Sequence, residues 1–266
     1  MARLGLAGEA PGKDPPLSRR ASPATGAADE IGDAHFGNRL LSALQPSDFE
    51  ILRPDLRVVD LRQGEGLYEP GQPITSAYFP HGSMISLVAV LEEGETAEVA
   101  VYGREGVAGY LSSLVAENSF GRYIVQISGT ASKISTARLV QAVHSSPTMQ
   151  DVFSRYLQAI LFQSFQTVAC NALHSVERRF CRWLLATRDR AGRDDLPLTH
   201  DFLSEMLGVQ RPTVSLIART LQAAGLIEQG RGMIRVVDPG RLEESACCCY
   251  RLNRANLERL LPGAFR

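Results

Sequence analysis

The chain has no run of about 18 uninterrupted apolar residues, the length a membrane-spanning helix needs. Its opening stretch, MARLGLAGEAPGKDPPLSRR, is broken by Glu9, Pro11 and Lys13 and holds no apolar core of signal-peptide length. These absences make the cytoplasm the expected location. Cysteine is scarce: there are five, an odd number, and none precedes Cys170. That is not the framework of a secreted disulfide protein. The net charge is only -1, so the whole chain is no bulk electrostatic binder of nucleic acid, and any such contact falls to a local patch.

Apolar residues are ample for real cores, 44% of 266 positions, and the length fits two domains and a tail. Charge is unevenly spread: residues 175–241 carry 11 basic against 8 acidic side chains, whereas 36–174 carry 9 against 13. The basic excess therefore lies toward the C-terminus, and the acidic part upstream would repel phosphate.

The stretch 198–221 (LTHDFLSEMLGVQRPTVSLIARTL) organises the rest. Phe202, Leu203, Met206 and Leu207 recur at helical spacing up to Gly208, which can supply the φ > 0 that ends a helix. Thr199 is the expected N-cap, although Phe202 stands where a reciprocal capping box would have Glu or Gln. Val209 fills the angle, and Pro212 suits the first turn of a second helix starting near Arg211. Val214, Ile217, Ala218 and Leu221 form its predicted buried stripe, which leaves Arg211, Ser215 and Arg219 on the outer face. An arginine there can donate two bonds to guanine in a major groove, worth ~1–3 kcal/mol of discrimination. Downstream, 225–237 (GLIEQGRGMIRVV) reads as two short strands around Gly230, Arg231 and Gly232. The predicted unit is a winged helix-turn-helix rather than a generic helical hairpin.

Along the chain, 1–35 is rich in Ala, Gly, Pro and Ser and is expected to be a disordered tail. Short helices are expected from Asn38 and from Pro46, the second with Ser47 as its cap. Between 56 and 135, short apolar runs separated by Gly and Pro predict about eight antiparallel strands: 56–61, 66–68, 76–79, 83–91, 96–102, 107–109, 123–128 and 131–135. A helix over 136–143 is assigned Thr136 as its cap, and a long helix runs from Pro147 to 173 or 174. Its Phe153, Tyr156, Leu157, Ile160, Leu161, Phe165 and Val168 cover more circumference than a one-sided helix needs, so one face is assigned to a second copy of the chain, the alternative being one larger core that encloses the helix in a monomer. Ser175 caps a further helix beyond a hinge, and one last helix is expected from Arg241 to about Leu261. The fold class expected is α+β. An antiparallel β-roll of the double-stranded β-helix type (36–146) precedes a dimerisation helix (147–174), a winged helix-turn-helix domain (175–240) and a C-terminal helical extension (241–266).

Parts in this order resemble the Crp/Fnr family of bacterial transcription regulators over roughly residues 38–250. The resemblance rests on 67–71 (LYEPG), 78–82 (YFPHG), 103–109 (GREGVAG), 176–179 (VERR) and 207–215 (LGVQRPTVS). It implies a homodimer on a two-fold-related site in double-stranded DNA, with an effector signal in the β-roll transmitted through the long helix. It further implies RNA polymerase as a partner, no catalytic residues and no cofactor.

The DNA-binding residues assigned are Thr199, Gln210, Arg211, Thr213, Ser215, Arg219 and Arg231, of which Thr199 and Thr213 match phosphate-touching positions of the family. Cyclic-AMP-responsive members open the recognition helix R-E-T-V-G-R; here it is RPTVSL, so Arg211 is kept while Pro212 and Leu216 replace two base readers. The operator should differ accordingly. The family's nucleotide pocket reads G-E-L and then R-S. The matching positions are Gly109, Tyr110 and Leu111, then Arg122 and Tyr123, and the missing Glu and Ser make a poor cyclic-nucleotide site. These five residues are assigned to an unidentified effector, with cyclic-nucleotide control as the alternative. Iron-sulfur members need cysteines near the N-terminus, where this chain has none. Cys247, Cys248 and Cys249 are expected to serve packing rather than to converge on one tetrahedral metal, so no metal is assigned. His81 reads as a loop histidine, and the lack of companion ligands disfavours a cupin-like metal enzyme. An adaptor without DNA binding is opposed by Arg211 and the basic wing.

Overall fold

The computed structural model describes residues 34–114 and 118–263. The expected disordered tail falls outside the described residues except for its last two, and His35 is already buried. Helix α1 (Arg39–Ser42) begins at Asn38, whose side-chain oxygen accepts from the Leu41 N–H while its amide donates to Pro80 O and Gly106 O, both at 2.9 Å. One residue thus caps the helix and ties it to the roll. In α2 (Pro46–Leu52) Gln45 holds the N-cap position, so Ser47 lies inside the first turn and is not the cap.

Among the described residues, seven strands build the roll: β1 (Arg57–Leu61), β2 (Gly66–Tyr68), β3 (Ser76–Pro80), β4 (Met84–Val90), β5 (Thr96–Tyr102), β6 (Arg122–Ile127) and β7 (Gly129–Ser135). They pair antiparallel in two sheets, β1-β7-β3 and β2-β6-β4-β5. The eighth expected strand, 107–109, does not form. Ala108 makes only an isolated bridge to Tyr78, because Gly109 takes φ 90° and turns the chain into the short helix α3 (Tyr110–Ser113). A β-carbon at Gly109 would stand 2.8 Å from Ser76 O, so this turn requires glycine.

Strand β4, MISLVAV, is apolar on both faces for a structural reason. Ile85 and Leu87 enter the core of the roll, whereas Met84 and Val88 join the core of the C-terminal part, together with Val101 and Ile127. Side chains alternate across a strand, so one sheet serves two cores.

Helix α4 (Thr136–Ser145) starts one residue earlier in its cap than expected. Ser135 is the cap position and Thr136 Oγ1 instead donates to Ile74 O at 2.9 Å. The long helix α5 (Pro147–Leu173) opens on Ser146, whose hydroxyl accepts from Met149 N–H, and ends at His174. Ser175 caps α6 (Val176–Ala191), and Gly192 closes it in the left-handed region. The winged unit consists of α7 (His200–Leu207), α8 (Arg211–Ala223) and the three-stranded sheet β8 (Asp195–Leu196), β10 (Met233–Val236) and β9 (Ile227–Gly230). The single last helix is corrected to two, α9 (Pro239–Ser245) and α10 (Cys249–Leu260), broken at the cysteine segment.

Candidate nucleic-acid interface

Helix α7 is capped by Thr199, whose hydroxyl accepts from Phe202 N–H at 3.1 Å, and stops at Gly208 with φ 63°. Helix α8 then starts with Pro212 in its first turn, where no ladder bond is lost. All four residues of its expected stripe, Val214, Ile217, Ala218 and Leu221, are buried against Leu203, Leu207 and the wing residues Ile227 and Ile234. The opposite face is open. Gln210, Arg211 and Arg219 are exposed there, and Arg231 is exposed in the turn of the wing. Leu216, which replaces a charged reader, is also largely exposed.

Two of the assigned residues have partners that periodicity does not reveal. Arg211 Nε lies 2.9 Å from Asp201 Oδ1 in the first turn of α7, both side chains facing solvent. Ser215 Oγ lies 2.9 Å from Nδ1 of His200, whose Nε2 is 2.9 Å from Gln229 Oε1. Gln229 Oε1 can only accept, so it takes the Nε2–H of His200, and Ser215 shares a hydrogen bond with Nδ1 of the same ring. Ser215 therefore links α8 to α7 and the wing, and is half-buried, as is Thr213.

The five effector candidates lie in different settings, with the Tyr123 hydroxyl against the backbone of Gly109. Tyr110 is buried edge-on against Phe153, ring centroids 4.7 Å apart. Tyr123 is buried, stacks on Tyr102 and shares a hydrogen bond of 3.0 Å with Ser112 Oγ, and burial holds its phenol above the usual tyrosine range. Arg122 points outward, its Nε 2.9 and 3.0 Å from the two Glu69 oxygens. Leu111 is half-buried. Tyr68, Tyr78, Tyr102 and Tyr123 fill the interior of the roll with ring contacts near 6 Å.

Roll, long helix and reader meet at a polar junction. Arg190 of α6 donates to Glu105 of the roll and to Gln163 of α5. Trp183 Nε1 donates to Glu98 Oε1 at 3.2 Å, and Ser86 and Gln126 donate to the other oxygen of that carboxylate, whose burial raises its pKa. Beside them lies a cavity of about 50 Å³ lined by Glu98, Glu105, Arg182 and Arg190. It has room for ordered water.

Residues 178–245 match the Crp-like helix-turn-helix domain. Among curated proteins, the global nitrogen regulator of Synechocystis is 24% identical over 205 residues, covering 73% of this chain and 90% of that one. A Crp/Fnr-family transcriptional regulator of Eubacterium rectale superposes with a TM-score of 0.60 at 15% identity, over 81% of this chain and 99% of that one. FixK2 of Bradyrhizobium japonicum does so at 0.61 and 16% identity, over 73% and 98%. The chain thus has the Crp/Fnr fold, in which the Crp-like domain follows the roll and the long helix. No described helix is long and apolar enough to cross a membrane.

The sequence reading missed one cluster. Cys247 and Cys249, without the exposed Cys248 between them, meet Cys170 and His174 at the end of the long helix, with ligand atoms all within 4.8 Å of one another. The helix break turns Cys247 and Cys249 inward, and the remaining ligands come from far away in sequence. The four-residue step between Cys170 and His174 was the available signal.

Proposed function

We propose that this DNA-binding transcription regulator acts in the cytoplasm as a homodimer on a two-fold-related operator. Helix α8 of each subunit enters a major groove, with Arg211 and Arg219 as base or phosphate contacts and Arg231 on the flanking backbone. The observation that carries this reading is the open outer face of α8 beside an exposed basic wing. Exposed Leu216 fits a thymine methyl better than a polar base edge, so the operator should hold a thymine where other family members read through an arginine. Thr199 and Thr213 are assigned to phosphate. Gln210 precedes the helix and joins the contact face, while Ser215 holds the geometry through His200.

Support for the dimer comes from the second face of α5. Leu161, Phe165, Val168 and Leu173 are 53%, 64%, 70% and 79% exposed in a single chain, and the first three follow the 4-then-3 spacing of a helix seam. The roll, the long helix, the reader and the C-terminal helices are proposed as the working units, divided near 146, 174 and 240. RNA polymerase is the proposed partner in activation. The effector is proposed to act through the junction of roll and reader, and Arg122, paired with Glu69, argues against a cyclic phosphate as that effector.

Selection of bound sequences from a random duplex library by the purified protein, with and without cyclic AMP, tests this reading. Enrichment of one palindrome, unaffected by the nucleotide, is expected. Absence of enrichment under both conditions would overturn it, and a nucleotide effect would restore the cyclic-nucleotide alternative.

A further inference from the structure

Three cysteines and a histidine from distant parts of the chain reach one point. Cys170 and His174 stand four residues apart at the end of α5, so their side chains leave on one face. Cys247 lies in the break between α9 and α10 and Cys249 opens α10; both are buried, while Cys248 between them is exposed with its Sγ 3.9 Å from His174 Nε2. One ligand atom from each of Cys170, His174, Cys247 and Cys249 falls within 4.8 Å of all the others. Cys170 Sγ is 3.4 Å from Cys247 Sγ, and Cys249 Sγ is 3.5 Å from His174 Nδ1. Sulfur ligands about 2.3 Å from a tetrahedral centre stand about 3.8 Å apart, and the separations here, from 3.4 Å to no more than 4.8 Å, bracket that spacing.

Hydrogen-bond donors point at two of the sulfurs. The Gln166 amide donates to Cys249 Sγ at 3.1 Å, and the backbone of Cys249 hydrogen-bonds to the Cys247 sulfur. Outer N–H groups of this kind orient thiolate ligands, and thiolates so close repel one another unless a cation lies between them. A cluster held only by apolar packing has no use for an imidazole nitrogen or for donors aimed at sulfur.

We propose that Cys170, His174, Cys247 and Cys249 bind one zinc ion as a closed Cys₃His site. Soft thiolates and imidazole disfavour magnesium and calcium, which take oxygen ligands. Four protein ligands leave no open position, so the site is structural rather than catalytic. Binding deprotonates three thiols, releases three protons to solvent and leaves the centre with one negative charge. Its place gives it a mechanical role. The ion ties the end of the long helix and the hinge at His174 to the segment beyond the wing, and that segment is anchored on α6 by the Cys247 N–H bond to Arg178 O at 3.3 Å. Zinc fixes the direction in which α6 and the reader leave the long helix.

The full-length protein, expressed with zinc supplied and dialysed against metal-free reducing buffer, tests the proposal. About one zinc per chain is expected, and the cobalt-substituted protein should show the visible bands of tetrahedral cobalt with thiolate charge transfer. Cys170→Ser and Cys247→Ser should each lower retained zinc at least roughly tenfold, and Cys248→Ser should retain it. The wild-type cobalt spectrum decides the matter even where a serine variant fails to fold. Loss of zinc from the wild type on dialysis, retention of iron instead, an octahedral cobalt spectrum, or a Cys170–Cys247 disulfide in protein trapped at lysis would each overturn it.

Discussion

Arg190 of the reader and Glu105 of the roll form an ion pair of 2.8 Å in which both side chains are nearly enclosed, 9% and 4% exposed. A buried pair is a weak source of net stability, but removing one partner strands the other charge. Glu105→Ala should therefore cost about 3–5 kcal/mol, read as a lower urea midpoint. A loss under about 1 kcal/mol would mean that Gln163 and the Ala186 carbonyl hold Arg190 unaided.

Much of the reader was legible because its signals are local. Gly208, Pro212, the caps Thr199 and Ser175 and the stripe from Val214 to Leu221 each depend on residues within a few positions of themselves. What escaped is non-local. The contact of Ser215 with His200 needs the fold of the wing, and Arg190 with Glu105 joins residues 85 apart. Cys170 and Cys247 are 77 apart, so adjacency in sequence misled about which cysteines converge. Strand β4 shows the same limit from the other side: its continuous apolar run marked a strand but could not reveal that Met84 and Ile85 belong to different cores.

The pair of Arg211 with Asp201 sets a second expectation. In free protein Asp201 holds the Arg211 guanidinium, so if Arg211 reads a base as proposed, binding exchanges one partner for another. Arg211→Ala should weaken binding to the preferred site by ~1–3 kcal/mol with the dimer intact. Asp201→Asn, which removes a negative charge from the DNA-facing side, should tighten binding to all sequences and do so more at low salt. Fluorescence anisotropy at two salt concentrations checks both. Unchanged affinity in Arg211→Ala removes it from the reading face.

Arg231, exposed at the tip of the wing, is proposed to contact phosphate alone. Arg231→Ala should weaken specific and non-specific duplexes by a similar factor and lower the slope of log K against log salt by roughly one. A loss confined to one sequence would make it a base reader instead.

His35 and His81 make the roll sensitive to acid. His35 Nδ1 and His81 Nε2 both reach Ser132 Oγ, at 2.6 and 2.7 Å. Burial lowers both pKa values, and His81 falls from 6.5 to about 4, with His35 adding repulsion. The folded protein thus favours neutral rings. Above about pH 6.5 both states are neutral and nothing is lost; as pH falls toward 4, the unfolded chain takes up protons that the folded chain resists, so stability declines. Melting temperature should drop between pH 7 and 5, and His81→Gln should flatten that drop. An unchanged slope would assign it to other groups.

The exposed side of α5 gives the last expectation. Phe165 and Val168 lie on the face left open by the roll, and large apolar side chains in such a row are covered in a working protein. If a second copy covers them, Phe165→Glu places two carboxylates across the two-fold axis in a low-dielectric seam and forces the subunits apart. Sedimentation should then give a monomer where the wild type is a dimer. Binding to a two-half-site duplex should fall roughly 10²-fold or more, because each reader then engages its half-site alone. The single-chain core does not use Phe165, so thermal stability measured on the monomer should change little. A variant that stays dimeric would move the interface off this face, and with it the spacing expected between half-sites.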